Sequence, residues 1–243
     1  MTEKPKGLLT SVQTKHDEGE KRFVAYGNEG VGKTTWASRA PKPIFLTTED
    51  GLGKIEAPSF PLARKWTDLT DAIDALLAEK HDYKTLVLDT CDGSDSLLQR
   101  HVIEENKKTS IEDFGFGKGY VLVAERYRKF LALLERVRLE KKMHIVILGH
   151  SQVRMFQSPD GPDYDRYEMS CSKRIAAILK EWADALLFFR FEVFVKEAGH
   201  KHKGARGERV IEATHAPAWE AKNRLGLPEQ MPLNGLEFWK LIK

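Results

Sequence analysis

"GNEGVGKT", residues 27–34, decides how the rest of the chain is read. It satisfies G-x-x-x-x-G-K-[S/T], the pattern of a loop that wraps phosphate groups. The string arises by chance in on the order of one chain in a hundred at average composition, so its context matters. It follows "RFVAYG" (22–27), which reads as a strand, and opens "KTTWASRA", which reads as a helix stopped by Pro41 and Pro43. Gly27, Gly30 and Gly32 are expected to permit backbone angles that turn successive N–H groups inward, with Asn28, Glu29 and Val31 completing the loop. The start of the helix adds its positive end. Lys33 is placed to reach terminal phosphates and Thr34 to offer a hydroxyl to Mg²⁺, with Thr35 closing the cradle. ATP and Mg²⁺ are the cofactors this implies.

Outward from the cradle, strands and helices alternate. "PIFLTT" reads as a second strand ending at "EDGLG", and "KTLVLDT" and "HIVILGH" are unbroken apolar runs of the kind buried in a parallel sheet. Leu69, Ile73, Leu76 and Leu77 mark one helical face, and a further helix is expected around 94–106. Val123, Tyr127, Phe130, Leu131, Leu134 and Val137 mark a long amphipathic helix. Residues 151–170 read as a long polar loop, followed by a helix through "KRIAAILKEWA". "DALLFFRFEVFV" and "RGERVIEAT" then form two strands around a basic tip at 198–207. The expected fold class is α/β: a mostly parallel sheet flanked by helices, with an antiparallel C-terminal hairpin. The expected organisation is a flexible leader at 1–20, a core at 21–230 and a C-terminal helix at 231–243.

Composition narrows the partners. The 243 residues are 41% hydrophobic and 31% charged, with a formal net charge of only +3, so any polyanion must be met by local clusters rather than a global field. Cys91 and Cys171 supply neither a disulfide framework nor a zinc ligand set, which points to a reducing cytoplasm. The most apolar stretch, "ALLFFRFEVFV", is short and carries Arg190 and Glu192, so no membrane span is expected.

Three strand ends carry the remaining chemistry. Asp89 closes "TLVLDT", where a carboxylate at the edge of a parallel strand can join Thr34 in holding Mg²⁺. Glu49 follows the second strand. If that strand lies between those ending at Gly27 and Asp89, Glu49 faces the terminal phosphate as general base. His150 and Gln152 stand just past a fourth strand, placed to bond a terminal phosphate and to move the segment beyond when it leaves.

With these stations in order, residues 20–225 resemble the RecA-like ATPases, and the short chain is most similar to the phage-encoded RecA-like single-strand annealing proteins of the Sak group. "KNR" at 222–224 is similar to the K-N-R or K-Q-R triplet of RadA-type and DnaB-type relatives, which reaches a neighbouring subunit's nucleotide. The resemblance implies that Lys222 and Arg224 act in trans and that the chain is a homo-oligomer, ring or filament. It implies single-stranded DNA as partner, with a single-stranded-DNA-binding protein as a second, and a phage or bacterial host cytoplasm as location.

The expected DNA contacts are Arg154, Phe156 and Arg166 in the 151–170 segment, Lys118 in the glycine-aromatic loop, and Lys201, Lys203 and Arg206 at the basic tip. Asp160, Asp163, Asp165 and Glu168 oppose the first group and suit a subunit contact instead. The reading is an ATP-dependent, oligomeric protein that binds single-stranded DNA and promotes annealing or strand pairing. The alternatives are a ring-shaped helicase or processivity ATPase, a small-molecule kinase, and a nucleotide switch with negligible turnover.

Overall fold

The structure is a computed structural model that describes residues 19–198 and 201–242, with side chains for all of these except 193–206. The expected leader therefore lies almost wholly outside the described residues. Five parallel strands form the centre: β1 (Arg22–Gly27), β2 (Pro43–Thr47), β3 (Thr85–Asp89), the first half of β4 (His144–Phe156) and the start of β6 (Ala185–Ala198). β5 (Tyr164–Met169) pairs antiparallel with the second half of β4. β7 (Lys201–Glu212), β8 (Lys222–Asn223) and β9 (Gln230–Pro232) extend the other side antiparallel. The order is β2-β3-β4-β1-β6-β7-β9. The α/β class and the mostly parallel sheet expected from the sequence are what is observed.

Strand periodicity explains how helices come to lie on both faces. Side chains alternate across a sheet, and here the two sets are both apolar. Val24, Tyr26, Leu46, Leu88, Ile145, Ile147, Leu186 and Phe188 face one core, which α2 (Trp66–Ala78), α3 (Cys91–Glu105), α4 (Lys118–Lys141) and α5 (Lys173–Trp182) cover. Phe23, Ala25, Phe45, Val87, Val146, Leu148, Leu187 and Phe189 face the other, covered by the short α1 (Lys33–Ala37) and α6 (Gly235–Leu241). All six residues expected on the face of α4 are buried. On the thinner side Trp36, Phe23, Phe238 and Trp239 make edge-to-face and stacked contacts between 4.9 and 6.4 Å. The Trp239 indole N–H donates to the Trp36 carbonyl at 3.2 Å, which fixes α6 against α1.

Two expectations are corrected. Residues 151–170 are not a loop: β4 runs on past the sheet and pairs with β5 from Ser151↔Met169 to Phe156↔Tyr164, leaving only 157–163 as a turn. The alternation Gln152, Val153, Arg154, Met155, Phe156 is a strand pattern, and the acidic residues of β5 made it read as a solvated segment. The second correction is topological. β2 does not sit between β1 and β3; β4 does, and β2 is the edge strand beyond β3. The C-terminal end of the sequence also forms β9 before α6, so the helix occupies only part of 231–243.

Candidate functional site

The parallel strands end together. In the register, Gly27 is level with His150, Thr47 with Asp89, and Asp89 with Leu148. The segments after β1, β2 and β3 and the middle of β4 at His150 therefore converge on one edge of the sheet, where open α/β sheets bind ligands.

The cradle leaves β1 at Gly27, whose role differs from the expectation. Its φ is not positive. A Cβ there would lie 2.1 Å from the Phe189 carbonyl oxygen, so the glycine is needed for β6 to approach β1. The left-handed angles belong to Gly30 (φ 67°) and Gly32 (φ 110°). Val31 is fully buried and pins the loop to the core, whereas Asn28, Glu29 and Thr35 are exposed. Ser151 Oγ donates to Asn28 Oδ1 at 2.6 Å, tying the loop to β4. The buried Lys33 Nζ donates to the Gly27 and Asn28 carbonyls at 2.9 and 3.1 Å. Burial lowers its pKa, while Asp89, Asp92, Glu49 and Glu29 pull it back up. The helix behind the loop is only five residues long, so loop N–H groups supply more of the positive potential than the expected helix end.

Thr34 Oγ1 donates to Asp89 Oδ2 at 2.9 Å. Asp89 is 3% exposed, and burial raises its pKa against the pull of Thr34 and Lys33. A hydroxyl and a buried carboxylate side by side are hard oxygen donors, and they fit a magnesium ion completed by water and phosphate oxygens. Thr48 closes the wall: its N–H donates to the Asp89 carbonyl at 2.8 Å, and its hydroxyl accepts from Thr90 N–H at 2.9 Å.

This tie turns the chain after β2 back across β3, which is how Glu49 arrives despite the edge position of its strand. Glu49 Oε1 lies 3.7 Å from His150 Nε2. Partial burial raises the Glu49 pKa; His150 pulls it down, and the Asp89 and Asp92 carboxylates push it up. A carboxylate of raised pKa is a stronger base. The other imidazole nitrogen, Nδ1, lies 2.8 Å from Asp92 Oδ2, and the His150 backbone N–H donates to Asp92 Oδ1 at 3.0 Å. The bond to Asp92 raises the His150 pKa above its ordinary value. Burial alone would raise Asp92, but the His150 ring and N–H hold it below the usual carboxylate range.

Asp92 was missed in the sequence. The signal was its place three residues after Asp89, in the first turn of a helix whose cap, Thr90 Oγ1, accepts from Gly93 N–H at 3.2 Å. Gln152, by contrast, spends its amide on the Met169 carbonyl at 3.1 Å, within the β4–β5 hairpin.

The remaining expected residues lie elsewhere. β8 pairs with the start of β6, level with Phe23, so Lys222 and Arg224 stand at the opposite end of β1 from Gly27. Four strand residues span about 13 Å. Neither cation meets its own cradle. They also do not point alike: Lys222 Nζ donates to the Lys180, Glu181 and Ala183 carbonyls at 2.9, 2.9 and 2.6 Å, while Arg224 is exposed beside a cavity of about 510 Å³ that Arg128 and Trp182 also line. Burial and the neighbouring Arg224 lower the Lys222 pKa.

In the hairpin, Arg166 lies over the Phe156 ring at 4.0 Å and pairs with Glu168 at 2.9 Å and Glu220 at 3.6 Å. Arg154 is 3.8 Å from Glu168. Lys118 is exposed at the start of α4, two residues after the fully exposed Phe116. The side chains of Lys201, Lys203 and Arg206 lie outside the described residues. Among the described residues, no helix is long and apolar enough to cross a membrane.

With this geometry in place, comparison with known proteins gives two findings. The chain is similar to an SPbeta prophage-derived uncharacterized protein, YorG, of Bacillus subtilis (strain 168), with 26% identity over 198 residues. That match covers 71% of this chain and 61% of the relative, so the chain spans about three fifths of the length of the protein it matches. Residues 19–225, which include the cradle, Glu49, Asp89, Asp92 and His150, match the family described as AAA domain, and the chain therefore belongs to that family of P-loop ATPases.

Proposed function

We propose that the chain is a phage-type ATPase that works as a homo-oligomer on single-stranded DNA, promoting annealing or strand pairing. ATP is held by the 27–35 loop with Lys33 on its terminal phosphates. Thr34 and Asp89 are the residues that would hold a magnesium ion, which would supply positive charge against the phosphates. Glu49 takes the proton of a water attacking the γ-phosphorus, and the β–γ bridging bond breaks with its electron pair leaving on ADP.

The observation that carries the coupling to a partner is the continuity of β4. His150, next to Glu49, and Arg154 and Phe156, in the hairpin, stand on one unbroken strand. A change in what His150 contacts is therefore passed along a rigid element into the hairpin. Arg224 on the far edge of the sheet supports an assembly in which one subunit's N-terminal strand edge faces the next subunit's cradle. Arg224 is better placed than Lys222 to enter it, because Lys222 is held by three carbonyls.

The test is phosphate release with and without single-stranded oligonucleotide, together with an annealing assay at low salt. Stimulated turnover and annealing that require both ATP and an intact Lys33 are expected. Turnover indifferent to DNA, with no DNA retained at low salt, would remove the nucleic-acid half of the reading.

A further inference from the structure

β4 does not stop at the edge where the cradle opens. Past His150, which is level with Gly27, it runs on from Ser151 to Phe156, about 20 Å of strand, and returns as β5. Alternation gives this hairpin two faces. Gln152, Arg154 and Phe156 share one with Arg166 and Glu168. The other carries Val153 and Met155, with Asp165 directly opposite Met155. Val153 is 55% exposed and Met155 71%, two large apolar side chains held in water by a regular element. The turn beside them reads "QSPDGPDYD" (157–165), with three aspartates and no Lys or Arg. The carboxylates of Asp160 and Asp165 have no hydrogen bond or ion pair among the described residues.

The other end of the molecule has the complementary surface. A cavity of about 510 Å³ opens between α4 and α5 and reaches Arg22, the first residue of β1. Leu131, Ala132, Ile178 and Trp182 give it an apolar floor. Its cations are Arg22, Arg128 and Arg224, and its acids are Glu135 and Glu181. Arg22 is engaged by Asp184 at 2.6 Å, and Glu135 by Arg138 at 2.6 Å. Arg128 and Arg224 are exposed, and neither guanidinium has a hydrogen bond or ion pair among the described residues. Two uncommitted arginines therefore stand against one remaining carboxylate, Glu181, over an apolar floor.

We propose that the face of the hairpin bearing Val153, Met155 and Asp165 docks into the α4–α5 cavity of a second copy of this chain. The proposal rests on the homo-oligomeric reading above and names the two surfaces that build the oligomer. Every copy carries both surfaces, and each supplies what the other lacks: apolar side chains and unpaired aspartates meet an apolar floor and unpaired arginines. The two surfaces differ, so the contact is head-to-tail and repeats into a ring or a filament. Because Arg224 lines the cavity, docking carries it toward the edge from which the neighbour's hairpin springs, beside that neighbour's Glu49 and His150. Arg154 and Phe156, on the other face, stay outside the contact.

The test is assembly of the full chain with Mg-ATP, read by light scattering and sedimentation over a range of protein concentrations. Asp165→Arg and Arg128→Glu each reverse one charge, at exposed positions without side-chain partners. Either change alone is expected to raise the concentration of half-assembly about tenfold or more. Both in one chain are expected to bring it back to within about threefold of wild type, because each reversed charge then meets the other across the contact. That recovery also shows that the two changes leave the fold intact. Val153→Ser/Met155→Ser, which alters no charge, is expected to weaken assembly about tenfold. Assembly indifferent to either charge reversal, or single losses that the double reversal fails to recover, overturns the assignment and leaves the oligomer to form through another surface. A wild-type chain that stays monomeric at every concentration sinks the homo-oligomeric reading itself, and this docking with it.

Discussion

Replacing Asp92 by Asn isolates one charge in the site. Asn is isosteric and still accepts the His150 backbone N–H, now 3.0 Å from Asp92 Oδ1, but it removes the carboxylate 2.8 Å from Nδ1. Both side chains are less than a quarter exposed, so the pair is only partly screened. A hydrogen bond to a charged group is worth about 1.5–3 kcal/mol and roughly twice a neutral one. The signs follow from the two shifts. The pKa of His150 is raised on folding, so its contribution is complete below its unfolded value, about 6.5, and is lost as pH rises through the folded value. The pKa of Asp92 is lowered, so its contribution is present above about pH 4 and is lost as pH falls through the folded value. Lys33 opposes the His150 charge and Glu49 favours it, without changing either sign. The cost of Asp92→Asn should therefore peak between about pH 4 and 6.5, near 2 kcal/mol, and fall to about 1 kcal/mol at pH 9, where a neutral imidazole still donates to the carboxylate. For a chain of this size that is about 4–8 °C in Tm at pH 5.5 against about 2–4 °C at pH 9. Calorimetric melts of both proteins at the two pH values measure it. A Tm difference that is the same at pH 5.5 and pH 9 would refute the charged pair.

Three further outcomes are expected. Glu49→Gln should cut phosphate release by at least about a hundredfold while leaving Mg-ATP affinity within a few-fold of wild type, as read by turnover and titration together. Gly27→Ala places a methyl 2.1 Å from the Phe189 carbonyl, so β1 and β6 must part; a loss of about 1–3 kcal/mol should appear in the melt, and an unchanged Tm would show that the contact is not tight. Mixing Lys33→Ala protein with Lys222→Ala/Arg224→Ala protein should restore ATPase activity above the sum of the two alone. Strictly additive rates, in mixtures shown by light scattering to co-assemble, argue that each cradle is completed within its own chain.

What could be read from the sequence, and what could not, follows from the range of the interactions concerned. The cradle is local: eight consecutive residues carry it, and their spacing is visible without a fold. The core strands were equally plain, because burial on both faces leaves unbroken apolar runs. The same runs hide which residues face which core, since Val24 and Ala25 look alike until helices are assigned to each side. Strand order was not legible at all. Placing β2 beside β1 would have satisfied the sequence as well as placing it beyond β3, because both are chain crossovers of similar composition. Glu49 still reaches the site through Thr48, a residue whose importance lies in hydrogen bonds to Asp89 and Thr90, forty-one and forty-two positions away. Such contacts leave no periodic trace.

The electrostatics of the site lead to one further step. Lys33 is the single Lys or Arg among Glu49, Asp89, Asp92 and His150, and it stands against three carboxylates within one cluster of mutual influence. Even with His150 protonated, those five groups sum to a net negative charge. A triphosphate adds several more negative charges at the same edge, so the cluster by itself would repel its ligand. A divalent cation at Thr34 and Asp89 offsets part of this. Arg209 borders Gly32, on the other side of β1 from Glu49. Among those five groups Lys33 is then the sole Lys or Arg to meet charge developing at the γ-phosphoryl group, while Arg224 stands exposed at the opposite end of the same sheet. A subunit arrangement that brings that edge to a neighbour's cradle would correct the imbalance where it is largest, so loss of Arg224 should lower turnover far more than nucleotide affinity.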